Sequence, residues 1–223
     1  MACTIALSTG SLEKPTRRLF RRFALESFPP RQAWIRTDFL DYIFQIVWLH
    51  PREIPSAVHD RFVDGGLVGA DVYNDWHFQF GLPLELVSDF DYSKSKFGDV
   101  AYLGLIALVD GSLIYKNWHP RRAAVSDYPY WTRHLLRSDM EVIPKRGGVE
   151  AFVGRQSEFG VTVIDTGDTV RANPQLQIIR KLAAAPPGLY VREDCSKAIR
   201  EQTNILVREL KTEFCSFVML PPV

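Results

Sequence analysis

The sequence predicts an α/β protein, and three observations carry that expectation. Short apolar runs alternate with amphipathic stretches along the whole chain, the order expected of buried strands connected by helices. The apolar runs are closed by Gly, Pro and Asp-Gly signals. With 223 residues, at roughly 150 residues per domain, the chain can form one large domain or two small ones.

The elements follow in order. Residues 4–7 read as a first strand, and Ser8-Thr9-Gly10-Ser11 as a tight turn into a helix that Pro15 starts near its first turn. That helix carries Arg17, Arg18, Arg21 and Arg22. Residues 42–49 have the aromatic and β-branched content of a buried strand, which His50-Pro51 breaks before a short helix over 54–62. Leu67-Val68 is a short strand among Gly65, Gly66 and Gly69, and 100–109 is the most apolar strand, closed by Asp110-Gly111. A second α/β block then runs as strand 123–125, helix 129–137, strand 142–143, helix 149–156 and strand 161–164. Ala183-Ala184-Ala185-Pro186-Pro187-Gly188 is a linker that no helix crosses. After it come a strand at 189–191, a helix from the N-cap Ser196 to about Lys211, and an apolar end over 214–220.

Composition excludes several classes. Apolar residues make up 46% and charged residues 24%, with 27 Lys+Arg against 26 Asp+Glu, so most of the chain is globular. A net charge of +1 argues against nonspecific binding of long nucleic acid, which needs a basic excess. Cys3, Cys195 and Cys215 encode neither a disulfide framework nor a structural zinc site. His50, His59, His77, His119 and His134 show no metal-ligand spacing. No signal peptide or membrane span is read, and a cytoplasmic location is expected.

The most informative stretch is Val161-Thr162-Val163-Ile164-Asp165-Thr166-Gly167-Asp168-Thr169-Val170-Arg171-Ala172-Asn173. A strand running into Thr-Gly-x-Thr supplies backbone N–H groups and two hydroxyls that can converge on a phosphate. Alone, such a segment reads more readily as a plain turn.

Its company is what points to phosphate. Glu53-Ile54-Pro55 and the run from Val63 to Val72 (VDGGLVGADV), Tyr128-Pro129-Tyr130-Trp131-Thr132-Arg133, Gly147-Gly148-Val149-Glu150, and the stretch from Asp165 to Asn173 together resemble the ATP phosphoribosyltransferase family of histidine biosynthesis. They match its D-I-P and D-L-G-I-x-G-x-D segments, its Y-P-x-x-T-R helix start, its G-S-V-E turn and its T-G-x-T-L-x-x-N phosphate loop, in the family's order. The resemblance covers about residues 4–212.

It implies two α/β domains with a double crossover, like type II periplasmic binding proteins, and a substrate cleft between the domains. The first domain would be discontinuous, residues 1–103 plus 188–223, and the second, 104–187, would carry the phosphate loop. It further implies transfer of the 5-phosphoribosyl group of PRPP to N1 of ATP with Mg²⁺, releasing pyrophosphate. By the same resemblance Thr166, Gly167, Asp168 and Thr169 would cradle the donor's 5-phosphate. Glu150 would bind ribose hydroxyls, and Arg133 would meet a phosphate or pyrophosphate. A homo-oligomer is implied, as is a regulatory subunit resembling histidyl-tRNA synthetase. Each residue also has a plainer reading: Glu150 as a helix-dipole partner, Arg133 as a surface pair, Asp165 and Asp168 as turn formers, and Gly65, Gly66 and Gly69 as packing glycines.

Several positions depart from the family. Its first turn reads K-G-R-L, where this chain has Thr9-Gly10-Ser11-Leu12. Lys14, Arg17 or Arg18 are candidates to restore the charge. His50 stands where the family has an arginine, and Thr162 where it has an acidic residue; Asp165 is the candidate to take that role on the ribose or the metal. The acceptor side is thus read as Thr9, Gly10, Ser11, His50 and Gly69. ATP is the default acceptor. Two alternatives stay open here: a relative that phosphoribosylates another, less charged nitrogen heterocycle, and a ligand-binding or regulatory subunit without turnover.

Overall fold

A computed structural model describes residues 2–23, 34–39, 42–94, 98–109, 121–136 and 140–218. The Asp110-Gly111 turn, Arg137 and the last residues of the apolar end lie outside them. The chain runs β1 (Ala2–Ser8), α1 (Glu13–Leu19), β2 (Trp34–Phe39), β3 (Tyr42–Leu49), α2 (Ile54–His59), β4 (Gly65–Gly69), α3 (Ala70–Phe80) and β5 (Glu85–Asp89). It continues as β6 (Tyr102–Leu108), β7 (Arg121–Ser126), α4 (Pro129–Leu136), β8 (Glu141–Pro144), β9 (Ser157–Ile164), α5 (Asp168–Arg171), β10 (Leu176–Ala184), β11 (Pro187–Val191) and α6 (Lys197–Val218).

Two compact units emerge. The first comprises residues 1–73, 82–99 and 186–223, and the second 74–81 and 100–185. Unit 1 holds a six-stranded sheet ordered β2-β3-β1-β4-β11-β5. In it β1 runs parallel to β3 and β4, while β11 is antiparallel to β4 and β5. The two-residue period of a strand puts Cys3, Ile5 and Leu7 of β1 and Phe44, Ile46 and Trp48 of β3 into one core cluster, which Leu19 of α1 and Leu206 and Leu210 of α6 complete. Each such side chain stabilises the unit by ~2 kcal/mol, so this face decides the register. Strand β4 can lie directly under α2 because it is glycine-rich: a Cβ on Gly66 would fall 2.3 Å from Ile54 Cγ2.

Ser196 caps α6, its hydroxyl accepting from Ile199 N at 3.3 Å. The buried Glu213 of that helix is ion-paired with both Arg21 and Arg22. The helix end expected at about Lys211 is therefore corrected, since α6 continues to Val218 and takes in the first residues of the apolar end. Leu206, Leu210 and Phe214 keep the helical spacing against the core. Among the described residues no helix is long and apolar enough to cross a membrane.

Unit 2 holds a five-stranded sheet ordered β10-β6-β9-β7-β8, with β7 parallel to β8 and β9, and β6 antiparallel to β9 and β10. Strand β6 supplies both faces: Leu103 and Leu105 pack with Ala124, Trp131 and Val161, whereas Ile106 and Leu108 pack with Val153, Ile164 and Leu176. The helix expected over 149–156 is a single 3₁₀ turn, Val149–Ala151. Gly154 stops it, with φ 75° and a backbone so close to Leu108 that a Cβ would lie 2.4 Å from its Cδ1. The 183–188 linker narrows to residues 185–186, because β10 and β11 run up to it from both sides.

Candidate functional site

In open α/β sheets ligands bind beyond the carboxyl ends of parallel strands. In unit 2 those ends belong to β7, β8 and β9. The segment after β9 is Asp165-Thr166-Gly167-Asp168-Thr169, in which Gly167 takes φ 74° as the residue that opens α5. Only a residue without a Cβ adopts that conformation at little cost. The loop is closed on itself. Asp168 accepts from the Thr166 hydroxyl and from the Arg171 guanidinium, and Asp168 N donates back to Thr166 Oγ1 at 3.3 Å. Asn173 Nδ2 donates to Thr169 O at 2.7 Å, which gives the last residue of the T-G-x-T-V-x-x-N pattern its role: it secures the backbone of the loop. Thr162, on β9, is buried, whereas Asp165 emerges at the strand end, half-buried.

Glu150 follows β8, in the 3₁₀ turn that begins after Gly148 (φ 62°). That turn is too short to build a macrodipole, so the helix-dipole reading of Glu150 loses its basis. The carboxylate is half-buried and, among the described residues, no hydrogen bond or ion pair engages it. Topology thus brings Glu150 and the 165–169 loop to the same edge of one sheet, beyond the carboxyl ends of β8 and β9, the two parallel strands that flank β7.

Arg133, expected to meet a phosphate, is exposed and also bonded within the unit. Its Nη2 donates to Val142 O at 3.1 Å and its guanidinium lies 5.2 Å from the Tyr130 ring, so it ties α4 to β8. The start of α4 is organised by residues that sequence reading missed. Asp75 of α3, buried, accepts from Tyr130 N at 2.8 Å and Trp131 N at 3.1 Å, capping the helix. The buried hydroxyls of Ser126 and Thr132 bond each other at 2.8 Å, and Asp127 accepts from Gly147 N at 2.5 Å. Asp127 had a local signal, a carboxylate two residues before Pro129; Asp75 had none, because its partners lie on another helix.

In unit 1 the parallel strands β1, β3 and β4 end together. Their carboxyl ends carry Thr9, Gly10 and Ser11, then His50, then Gly69, so all five acceptor-side positions share one sheet edge. Both the N–H and the hydroxyl of Thr9 donate to Leu49 O, at 2.9 and 3.1 Å. His50 Nδ1 accepts from Arg52 N at 3.3 Å, capping the turn Pro51–Glu53. Of the candidate replacement cations, Arg17 is ion-paired with Glu13 at 3.0 Å and stacked 4.5 Å from the centre of the Trp48 ring, while Lys14 and Arg18 are exposed. Among the described residues no group of three or more His, Cys, Asp or Glu side chains could hold a metal ion.

The family model described as HisG, ATP phosphoribosyltransferase, matches residues 50–212. The chain belongs to the ATP phosphoribosyltransferase family. That match spans His50, Gly69, Arg133, Glu150 and the 165–169 loop, and begins after Thr9, Gly10 and Ser11. Relatives named ATP phosphoribosyltransferase include one from Syntrophomonas wolfei, 23% identical over 184 residues, covering 79% of this chain and 80% of its own. Another, from Alkaliphilus metalliredigens, is 26% identical over 178 residues, covering 76% and 78%. Among solved structures, the ATP phosphoribosyl transferase (HisG:HisZ) complex from Thermotoga maritima superimposes with a TM-score of 0.71 at 17% identity, over 96% of this chain and 99% of that one. The T. maritima protein ArgBP, in a P235GK mutant, gives 0.52 at 14% identity, over 97% and 93%. This member of the ATP phosphoribosyltransferase family therefore has the type II periplasmic-binding-protein-like fold.

Proposed function

We propose that the protein is a phosphoribosyltransferase that joins C1 of the phosphoribosyl group of PRPP to N1 of ATP, the opening step of histidine biosynthesis. The C1–O bond to pyrophosphate breaks as the C1–N1 bond forms. Positive charge builds on the ribose and negative charge on the leaving diphosphate, so the protein's work is positioning and electrostatic stabilisation.

The observation that carries this reading is the Thr166–Thr169 turn at the carboxyl end of a parallel strand, with Gly167 left-handed and Glu150 following β8 at the same sheet edge, inside a chain of this family. In the proposal the turn holds the 5-phosphate through backbone N–H groups and the hydroxyls of Thr166 and Thr169. Glu150 accepts from the ribose hydroxyls, and Asp165 faces the ribose from the end of β9. Arg133 acts through α4 and β8, as a positioning residue. Thr9, Gly10, Ser11, His50 and Gly69 form the nucleotide edge of unit 1. Mg²⁺ has no protein cage among the described residues, so it enters with the donor, held by phosphate oxygens and water, as that hard cation prefers. A cytoplasmic homo-oligomer with a HisZ-type regulatory subunit completes the proposal; the T. maritima complex supports the regulatory subunit.

The test is pyrophosphate release from PRPP, ATP and Mg²⁺, with and without a HisZ-type subunit. Turnover dependent on ATP is expected; PRPP binding with no ATP binding or turnover under either condition would overturn the acceptor assignment. Glu150→Gln should lower turnover about tenfold or more, the order of one lost charge-assisted hydrogen bond, with a smaller loss of PRPP affinity. Equal losses in both would point to a structural role instead.

A further inference from the structure

We propose that residues 145–148, the loop leaving β8, bind the diphosphate of the phosphoribosyl donor. The inference rests on the donor reading above and extends it to the other end of the same molecule.

The donor carries phosphate groups on opposite sides of one ribose, so it needs two anion sites with room for a sugar between them. Strand order supplies that arrangement. Because β7 lies between β9 and β8, the loops that follow those two strands leave the same sheet edge two strand spacings apart, about 10 Å. The end of β7 lies between them.

Charge then separates the two loops. In the loop after β9 the one guanidinium, Arg171, is ion-paired with Asp168, and Asp165 adds a carboxylate. Such a loop suits a monoester held by N–H and hydroxyl donors, and it has no net positive charge to offer a diphosphate. The loop after β8 has Lys145 and Arg146 side by side. Among the described residues no carboxylate pairs with either. The Lys145 ammonium rests 4.3 Å from the centre of the Phe152 ring, and Arg146 is exposed.

The backbone there is both fixed and open. Lys145 N donates to Ser126 O at 2.9 Å and Gly147 N to Asp127 at 2.5 Å, so the loop is anchored to the end of β7 before any ligand arrives. Gly147 and Gly148 are both left-handed, with φ 69° and 62°, and no atom lies within 4 Å of where either Cβ would stand. Gly147 N is taken by Asp127, so an anion would approach the backbone at Gly148. Lys145, Arg146 and the open backbone at Gly148, against the one carboxylate of Asp127 held on Gly147 N, form a site of net positive charge for a group of high negative charge.

Calorimetric titration with ribose 5-phosphate, inorganic pyrophosphate and PRPP as separate probes, each with Mg²⁺, tests this. In Lys145→Gln/Arg146→Gln, affinity for pyrophosphate and PRPP should fall about tenfold or more while that for ribose 5-phosphate is kept. Thr169→Ala should do the reverse, weakening ribose 5-phosphate and sparing pyrophosphate. The single variant Arg146→Gln, at an exposed position, should weaken pyrophosphate by a smaller factor with an unchanged circular dichroism spectrum, and Lys145→Arg should retain wild-type affinity. Pyrophosphate binding that is absent from the wild type, or unchanged in the double variant, overturns the inference, and the donor reading stands if ribose 5-phosphate still binds. Wild-type protein that binds neither ribose 5-phosphate nor PRPP overturns the donor reading itself.

Discussion

The glycines of β4 in unit 1 and those of the loops after β8 and β9 in unit 2 serve opposite physical purposes. On β4 of unit 1, Gly65, Gly66 and Gly69 are buried in a strand, and what matters is the missing side chain. A Cβ on Gly66 would meet Ile54 at 2.3 Å and Val58 at 3.0 Å. In the loops of unit 2, Gly148 and Gly167 have open or nearly open space above them, and what matters is their left-handed φ. Absence of a side chain thus lets a helix pack on a sheet in one case, and lets the backbone turn through a left-handed conformation in the other.

The contrast can be broken by substitution. The largest effect is expected for Gly66→Val, which drives a branched side chain into α2; overpacking of this kind costs ~3 kcal/mol or more. A clear drop in the urea midpoint should result, and a wild-type midpoint would remove the packing role. Gly167→Val comes next. A β-branched residue in the left-handed region costs ~2 kcal/mol, so either the loop is held at that cost or it deforms, and PRPP affinity should fall about tenfold or more. Retained affinity would sink the phosphate-loop assignment. The smallest effect is expected for Gly69→Ala. Its Cβ would approach the Asp71 carboxylate at 2.2 Å, but that is the end of a side chain that can rotate away, and the loss should be only about 0.5 kcal/mol. A large loss there would mean that Asp71 is held in place.

Much of the framework is legible in the residues themselves. Strand β3 appears with the expected bounds because its eight residues are aromatic and β-branched up to a His-Pro break. Helix α4 begins at Pro129, where its missing N–H costs nothing. The Thr-Gly-Asp-Thr segment reads as a turn because glycine there permits a positive φ. Other elements carry no such signal. Strand β5 (ELVSD) is short and mixed, and β10 (LQIIRKLAA) exposes most of its residues at a sheet edge, so neither shows alternation. Helix α3 (ADVYNDWHFQF) mixes charged and aromatic residues around its surface. Val149 to Gln156 looks helical until Gly154 meets Leu108, a contact 46 residues away in sequence.

The candidate site divides along the same line. Composition, turn chemistry and motif order determined that the chain is an α/β protein, that residues 165–169 form a glycine turn after a strand, and which family it resembles. All of these depend on neighbours close in sequence. Tertiary structure decided which turns share an edge. Strand β1 lies between β3 and β4, and β9 between β6 and β7, and neither order follows the order of the chain. It also decided that Arg133 is committed to Val142 O, that Asp75 caps α4, and that Lys145 and Arg146 leave the same sheet edge as the Thr-Gly-Asp-Thr loop. Local preference acts over a few residues, whereas strand order is set by which apolar faces can be buried together. Only the folded chain brings those distant residues to one edge.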